Sequence, residues 1–254
     1  MSIMSPALVR EKTFAALVHL ALSATATGLL ACAMWFALYP PPYFWIDGGW
    51  SVLRILLLVD VILGPMLTFV VFNRAKREWK RDLAIIAIVQ VIAFAYGAYT
   101  MARYRPVFAV YVDDVFFAVP WPRVEAATQN LAKPRALREG RWAPSLVVMD
   151  MPTDTKAVAE LHRRANPDGT HALPGIGDLY LPFEGEVARK VLARSADVAV
   201  LAKGDPLIDA EYKRVQAAHP GPISRYAFLP ILGRDAEAML MLDKETGQVV
   251  DFMR

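Results

Sequence analysis

The sequence contains few of the residues on which several protein classes depend. A single cysteine, Cys32, occurs in 254 residues, which excludes an intramolecular disulfide and a multi-cysteine zinc site. The chain has no H-E-x-x-H, G-x-S-x-G or phosphate-loop pattern, and Gly175-Ile176-Gly177 is too short for a dinucleotide fingerprint. We therefore predict no metal site, no cofactor and no catalytic residue.

The remaining titratable residues show no catalytic spacing. His162 is expected on a solvated helix face, because two arginines follow it directly. Asp113-Asp114 is explained by a hairpin turn, and Glu184 with Glu186 by a helix N-terminus, where carboxylates are favoured. A Ser/His/Asp arrangement assembled from distant residues is defined by geometry, and it stays open at this point.

Charge is almost missing from three long apolar runs, at residues 14–38, about 52–72 and 83–102. Each run is near the ~20 residues that cross a bilayer as a helix. The first run is longer than the roughly 7–15 residues of a signal-peptide core, so a retained helix is expected. With 56% hydrophobic and 21% charged residues, the chain is predicted to combine a membrane region with a soluble one.

The basic excess is confined to the N-terminal part of the chain. From residue 105 onward there are 19 Lys and Arg against 20 Asp and Glu, so the net charge of +3 does not indicate nucleic-acid binding. The loop 73–82 has five basic residues and the tail 1–13 has two, which predicts that both lie in the cytoplasm. The C-terminal part is then expected outside the cytoplasm, which means the periplasm if the cell has two membranes. Aromatic residues of the first loop are expected at the headgroup boundary: Tyr43, Phe44, Trp45 and Trp50.

Asp60 is the carboxylate inside the second apolar run. A charge at that depth costs a few kcal/mol, so two interpretations stay open. Asp60 is either a recognition or proton-linked site, or it forms a buried hydrogen bond with Tyr96 or Thr27, which lie at a similar depth at ~1.5 Å per residue. It could also meet a polar group on a partner's transmembrane helix. A second, shallower polar layer is expected from three residues: His19, Thr68 and Gln90.

Small residues and a proline predict close helix packing. Gly64-Pro65 follows Asp60 by one turn, and a kink is expected there because proline removes a backbone donor. Ala24-x-x-x-Gly28 and Ala93-x-x-x-Gly97 would allow neighbouring helices to approach.

Residues 105–254 predict an α+β domain, because helices and strands mix without regular βαβ alternation. The turn signals are Asp113-Asp114, Asn166–Gly169 and Asp243–Gly247, with Gly247 suited to a positive φ. An external strand edge could pair with a partner strand. The expected strands are 107–112, 115–119, 145–151, 225–232, 236–242 and 248–253, and the expected helices are 122–140 with an interruption at Pro134, 154–164, 184–195 and 206–218. The fold class is three transmembrane α-helices followed by an α+β extracytoplasmic domain.

An ordered series of landmarks runs through the membrane region: Tyr39-Pro40, Gly48-Gly49-Trp50, Asp60-x-x-x-Gly64-Pro65-x-x-Thr68, Arg81–Ile86 with Gln90, Tyr96-Gly97 and Arg105-Pro106-Val107. This order resembles the TfpX/TfpZ family of type IV pilin accessory proteins over residues 14 to about 119. Asp113-Asp114-Val115-Phe116 stands where that family often has Asp-Arg-Phe. The resemblance implies an inner-membrane protein, encoded with a pilin, that helps its cognate pilin to be stabilised or assembled.

Two hypotheses from different classes follow. In the first, the chain is a non-enzymatic assembly factor whose three helices receive the apolar N-terminal helix of a cognate type IV major pilin in the lipid bilayer. In the second, it is a membrane-anchored enzyme with a periplasmic catalytic domain that acts on pilin or envelope material. The second hypothesis requires a concave pocket with convergent titratable groups.

Overall fold

The computed structural model describes residues 6–138, 143–165, 173–219 and 221–254. The chain divides into two compact units. The first unit consists of Met1–Leu38 and Gly49–Ala102, and the second of Tyr39–Gly48 and Arg103–Arg254. The loop between the first two apolar runs thus belongs with the C-terminal domain.

Three long helices form the first unit, and all three are long and apolar enough to cross a membrane. Each extends beyond the apolar run that predicts it, because helical turns continue into the polar flanks. The first long helix is α1 (Pro6–Ala33), which continues in π-helical turns over Met34–Leu38. The loop that follows contains the short helix α2 (Tyr43–Ile46). The second long helix consists of α3 (Gly49–Leu56) and α4 (Gly64–Val71), and the third is α5 (Trp79–Tyr104).

A π-helical segment, Leu57–Leu63, connects α3 to α4 and carries Asp60 at its centre. The backbone N–H of Gly64 donates to the carbonyl of Val59, five residues earlier, which is the wider π spacing. Pro65 follows and has no N–H to offer, so the regular α ladder is interrupted at this point. The irregularity expected at Gly64-Pro65 therefore takes the form of a widened turn, while the kink itself stays a prediction.

The second unit is an α/β domain with one mixed sheet of seven strands in the order β4-β3-β1-β2-β5-β6-β7. Two neighbouring pairs, β1 with β3 and β2 with β5, are parallel, and the others are antiparallel. Every residue of the interior strand β1 is buried. The strands are β1 (Pro106–Val112), β2 (Val115–Pro120), β3 (Ser145–Met149), β4 (Tyr180–Pro182), β5 (Tyr226–Leu232), β6 (Glu237–Asp243) and β7 (Val249–Met253).

Six helices of the second unit follow or separate these strands. They are α6 (Trp121–Ala127), α7 (Ala132–Arg138), α8 (Thr155–Ala165), α9 (Gly185–Leu192), α10 (Val198–Gly204) and α11 (Pro206–Ala218). One apolar core includes residues of β1, β3, α6 and α8, and a second includes residues of β5, β6, β7, α10 and α11.

Most predicted elements of this domain are confirmed. The turn of the first hairpin lies at Asp113 and Asp114, as predicted. Their φ angles of 50° and 65° fit the left-handed geometry of a tight turn. Gly247 has φ +70° in the last hairpin, as expected. The interruption expected at Pro134 is wrong, because the helices break at 128–131 and Pro134 lies in the first turn of α7, where a missing N–H is tolerated. The turn predicted at 166–169, and residues 139–140 of the predicted helix, lie outside the described residues.

Candidate functional site

A groove lies between α1 and α5 in the first unit, with the second long helix contributing residues to its wall. Its volume is about 980 Å³. Phe14, Leu22 and Val91 line it and are each more than 60% exposed, so the groove is open along its length. We call it the helix groove; its described lining is mostly apolar, with the polar residues Arg10, Glu11, His19, Ser23, Asp60, Thr68, Arg74 and Gln90.

The shallower polar layer is brought together in the helix groove. His19 Nδ1 lies 2.6 Å from Thr68 Oγ1, so a hydrogen bond joins α1 to α4. Gln90 Nε2 on α5 donates to the carbonyl of Val59 over 3.4 Å. A Cβ at Gly64 would overlap the amide of Gln90 and lie 3.0 Å from His19 Nε2. Gly64 therefore lets side chains of both other helices meet at one point.

Asp60 is 4% exposed, and neither carboxylate oxygen has a hydrogen-bond partner in the described structure. The hydrogen bond that we expected with Tyr96 or Thr27 is not formed. Tyr96 is 70% exposed, and Thr27 is buried with its hydroxyl also unpaired. The interpretation of Asp60 as a lock within the bundle is therefore wrong, because no described residue donates a hydrogen bond to it.

The two small-residue motifs behave differently. A Cβ at Gly97 would lie 3.0 Å from Leu56 Cδ2, so this glycine allows a close contact between α5 and α3. No atom lies within 4 Å of a Cβ placed at Gly28. The packing role expected for Gly97 is confirmed and that for Gly28 is wrong, because Gly28 faces open space.

Charged residues lie at one end of the helix groove. Lys12 is buried and its ammonium donates to the carbonyl of Val70 over 3.0 Å, which satisfies an acceptor at the C-terminal turn of α4. Arg74 lies 3.9 Å from Glu11, and both side chains are exposed. Arg10 also lines this end. Nine residues separate it from His19, about 13 Å along a helix, so the exposed cations are remote from the polar layer.

In the second unit, the loop 39–48 is fixed to the turn between β5 and β6. The carbonyl of Ile46 accepts hydrogen bonds from the backbone N–H groups of Asp235 (2.8 Å) and Ala236 (3.2 Å). Asp47 Oδ1 accepts from the N–H of Arg234 over 3.0 Å, and the guanidinium of Arg234 donates to the carbonyl of Asp47 over 2.6 Å. Four hydrogen bonds thus join segments about 190 residues apart.

This loop explains the glycine landmark at position 48 and the burial of two of its aromatic residues. Gly48 has φ +89°, which favours glycine, and a Cβ there would lie 2.6 Å from Arg234 Nη2. Tyr43 and Phe44 are 6% and 4% exposed, so our expectation that they lie at a headgroup boundary is wrong. Their rings are buried in protein because the loop belongs to the second unit. Arg234 could not be predicted as a partner of Asp47, because the two residues lie 187 positions apart and no local pattern connects them.

Burial raises the pKa of Asp47 to about 6, and the nearby guanidinium of Arg234 only partly offsets this. The folded state therefore holds this proton more tightly than the unfolded chain, in which a pKa near the ordinary 3.8 applies. The contribution of Asp47 to stability is fully present below about pH 4 and is lost as the pH rises through 6. The loss amounts to about 3 kcal/mol at ~1.4 kcal/mol per pKa unit.

We expect the Asp47→Asn variant to lose this part of the pH dependence. Asn keeps the acceptor oxygen for the N–H of Arg234 and has no proton to release. The measurement is the unfolding free energy of each detergent-solubilised protein at pH 4.5 and pH 7.5. Other titrating groups contribute equally to the wild type and the variant, so the difference between the two pH dependences reports Asp47. Parallel pH profiles for the variant and the wild type would contradict the assignment.

A second cavity of about 570 Å³ lies in the second unit, beside α9, α10 and β5. Its polar side chains are used in local structure. Ser195 Oγ accepts from the N–H of Phe228 at 2.8 Å, Asp197 caps α10 by accepting from Val200, and Lys244 donates to the carbonyl of Ser224. No described histidine lines this cavity, and no group of three His, Cys, Asp or Glu able to hold a metal occurs among the described residues.

Three long apolar helices and a following α/β domain place the chain among proteins with a membrane-associated helical unit. The chain is 38% identical over 99 residues to the fimbrial assembly protein of serogroups C1 and C2 of Dichelobacter nodosus, a match that takes in 38% of this chain and 76% of that protein. The chain belongs to the family of fimbrial assembly proteins.

Two further relatives match the chain over only part of their own length. The chain is 38% identical over 99 residues to the fimbrial assembly protein of serogroup I of the same organism, and 36% identical to that of serogroup E1. It spans 38% of the length of each. No family model and no solved structure matches the chain.

Proposed function

We propose that the chain is a non-enzymatic accessory factor of the bacterial inner membrane that assists the assembly of a type IV pilus, of the TfpX/TfpZ kind, by binding its cognate major pilin. The relationship to fimbrial assembly proteins supports the pilus context. The observation that carries the proposal is the helix groove, an open apolar channel between helices of membrane-spanning length. Such a groove suits one further apolar helix, and the pilin's N-terminal helix is the proposed occupant.

The connection between the loop 39–48 and the C-terminal domain supports the proposed topology. The hydrogen bonds between Asp47 and Arg234 require both segments to be on the same side of a membrane. Two helices, Gly49–Val71 and Trp79–Tyr104, separate these segments in the sequence. An even number of crossings returns the chain to its starting side, and the basic loop 73–82 between them favours the cytoplasm. The α/β domain is then periplasmic.

The edges of the sheet favour the helix groove over strand pairing as the main contact with pilin. The edge strand β4 has three residues and ends at Pro182, which has no N–H. At the other edge, the N–H of Phe252 donates to Asp251 Oδ1 over 2.8 Å, and its carbonyl accepts from the guanidinium of Arg214. A partner strand would therefore have to displace side chains that already satisfy β7.

The test is photo-crosslinking in membranes of the piliated host. A photoreactive amino acid at Val91, which lines the helix groove and is 67% exposed, is expected to capture the pilin. The same amino acid at Val89, which is 60% exposed and does not line the groove, is the matched control and is expected to capture lipid only. Equal capture of pilin from both positions, or none from Val91, would reject the groove as the binding site.

The enzymatic alternative rests on the cavity of about 570 Å³ in the second unit. The bonds of Ser195, Asp197 and Lys244 to the backbone count against it, because these groups stabilise α10 and the β5 region. A pilin that changes in mass only when the chain is present would favour the enzyme. An unchanged mass of pilin, together with reduced pilin abundance in its absence, would favour the accessory factor.

A further inference from the structure

The helix groove is rich in hydrogen-bond acceptors that the chain itself does not satisfy. Both oxygens of Asp60 and the Oε1 of Gln90 are buried without a partner in the described residues. Buried polar groups are nearly always hydrogen-bonded, since each unpaired one costs free energy. Three unpaired acceptors on residues that line one groove therefore indicate a missing donor.

The nearby described donors do not bond to these acceptors. His19 Nδ1 and the hydroxyl of Thr68 bond to each other, the amide nitrogen of Gln90 donates to Val59, and the other ring nitrogen of His19 forms no hydrogen bond with Asp60 or with Gln90 Oε1. Lys12 donates to the carbonyl of Val70. The remaining cations of the lining lie at the far end of the groove, so the donor for Asp60 has to come from the occupant.

We propose that the occupant is a membrane helix of a partner protein with one hydrogen-bond-donating group, cationic or neutral, at the depth of Asp60, and that Asp60 recognises it. A helix fits because its backbone groups are satisfied internally within a bilayer. Acyl chains of lipids would fill the apolar lining but bring no donor. The inference rests on the proposed function where the partner is the pilin, and it adds what the binding helix has to carry.

The π-helical segment around Asp60 suits this role. In a π turn the bonded residues are five positions apart, so side chains are displaced from the regular helical positions, and such turns are frequent at functional sites. Asp60 lies in the middle of Leu57–Leu63, and the carbonyl of Val59 is held by Gly64 and by Gln90. The backbone carbonyl that precedes Asp60 thus has two hydrogen bonds.

Two readouts separate recognition from a structural role. Asp60→Leu removes an unpaired buried carboxylate, so the melting temperature of the purified full-length protein is expected to equal or exceed that of the wild type. A photoreactive amino acid at Leu22, which lines the groove, is expected to capture the partner helix about ten-fold less in Asp60→Leu, because a hydrogen bond to a charged group is lost. Leu29, which is 68% exposed and lies outside the groove lining, is the control position.

Asp60→Asn distinguishes the two kinds of donor. Retained capture shows a neutral donor, which the amide oxygen still accepts, and a loss as large as in Asp60→Leu shows a cation. The inference is overturned by unchanged capture in Asp60→Leu, or by a lower melting temperature together with reduced capture. In either case the proposed function still stands if the wild type captures pilin. Capture of a different membrane protein that depends on Asp60 keeps the inference and overturns the proposed partner, and no capture from Leu22 in the wild type overturns both.

Discussion

Replacing Ala87 by tryptophan is expected to abolish piliation while the protein stays in the membrane at its normal level. Ala87 lies on α5, is exposed and lines the helix groove. An indole at this position brings about 150–250 Å² of new surface into the space that the partner helix needs. Because the site is open, the new side chain enters the groove without disturbing the contacts between the helices.

Ala84→Trp is the matched control for Ala87→Trp. Ala84 is on the same helix, is also exposed and does not line the groove. Surface pili counted by electron microscopy, with the protein level from immunoblots of membranes, give the two readouts. Normal piliation in Ala87→Trp would show that no helix binds in the groove during assembly, whereas loss of pili in both variants would indicate a general effect of the bulky residue.

Gly233→Ala is expected to destabilise the second unit by about 2–5 kcal/mol. A Cβ at Gly233 would lie 2.5 Å from the carbonyl carbon of Ile46 and nearer still to its oxygen. These are backbone atoms, so no side chain can swing aside. The loop has to move away, which weakens the hydrogen bonds from Asp235 and Ala236 to Ile46 and adds the strain of overpacking.

Gly204→Ala is the control for the chemistry of the substitution. Gly204 ends α10, and no atom lies within 4 Å of a Cβ placed there. Its effect on the unfolding free energy is expected to stay within about 0.5 kcal/mol of zero. Chemical unfolding of the detergent-solubilised proteins is the measurement, and a cost for Gly233→Ala as small as that of the control would mean that the loop is not held at this turn.

Local signals predicted the elements of the second unit better than their arrangement. Asp113-Asp114 and Gly247 indicated hairpins because left-handed turn geometry depends on the residues of the turn alone. The parallel neighbours of β1 and β2, by contrast, are strands far along the chain, β3 and β5. Strand β4 was missed because three residues are too short to show an alternating pattern, and α10 because it covers only two turns.

The sequence predicted the depth of the site residues along the helices better than the helix face on which each residue lies. Counting residues from the membrane surface correctly grouped His19, Thr68 and Gln90. It failed for Tyr96, which is six residues from Gln90 and therefore about 240° around the helix at 3.6 residues per turn. Depth alone says nothing of the face that a residue occupies. The unpaired state of Asp60 was equally out of reach, because it depends on which neighbours lack a donor.

The hydrogen bonds between the loop 39–48 and Arg234 also impose an order on the biosynthesis of the protein. Asp47 leaves the ribosome 187 residues ahead of its partner. At ~5–20 residues per second, the buried aromatic rings and the Asp47 carboxylate wait roughly 10–40 s for the strands that cover them. The loop can close only once the β5–β6 hairpin has been synthesised. A chain truncated before that hairpin lacks the N–H groups of Arg234, Asp235 and Ala236 that bind the loop, so its aromatic side chains are expected to stay uncovered.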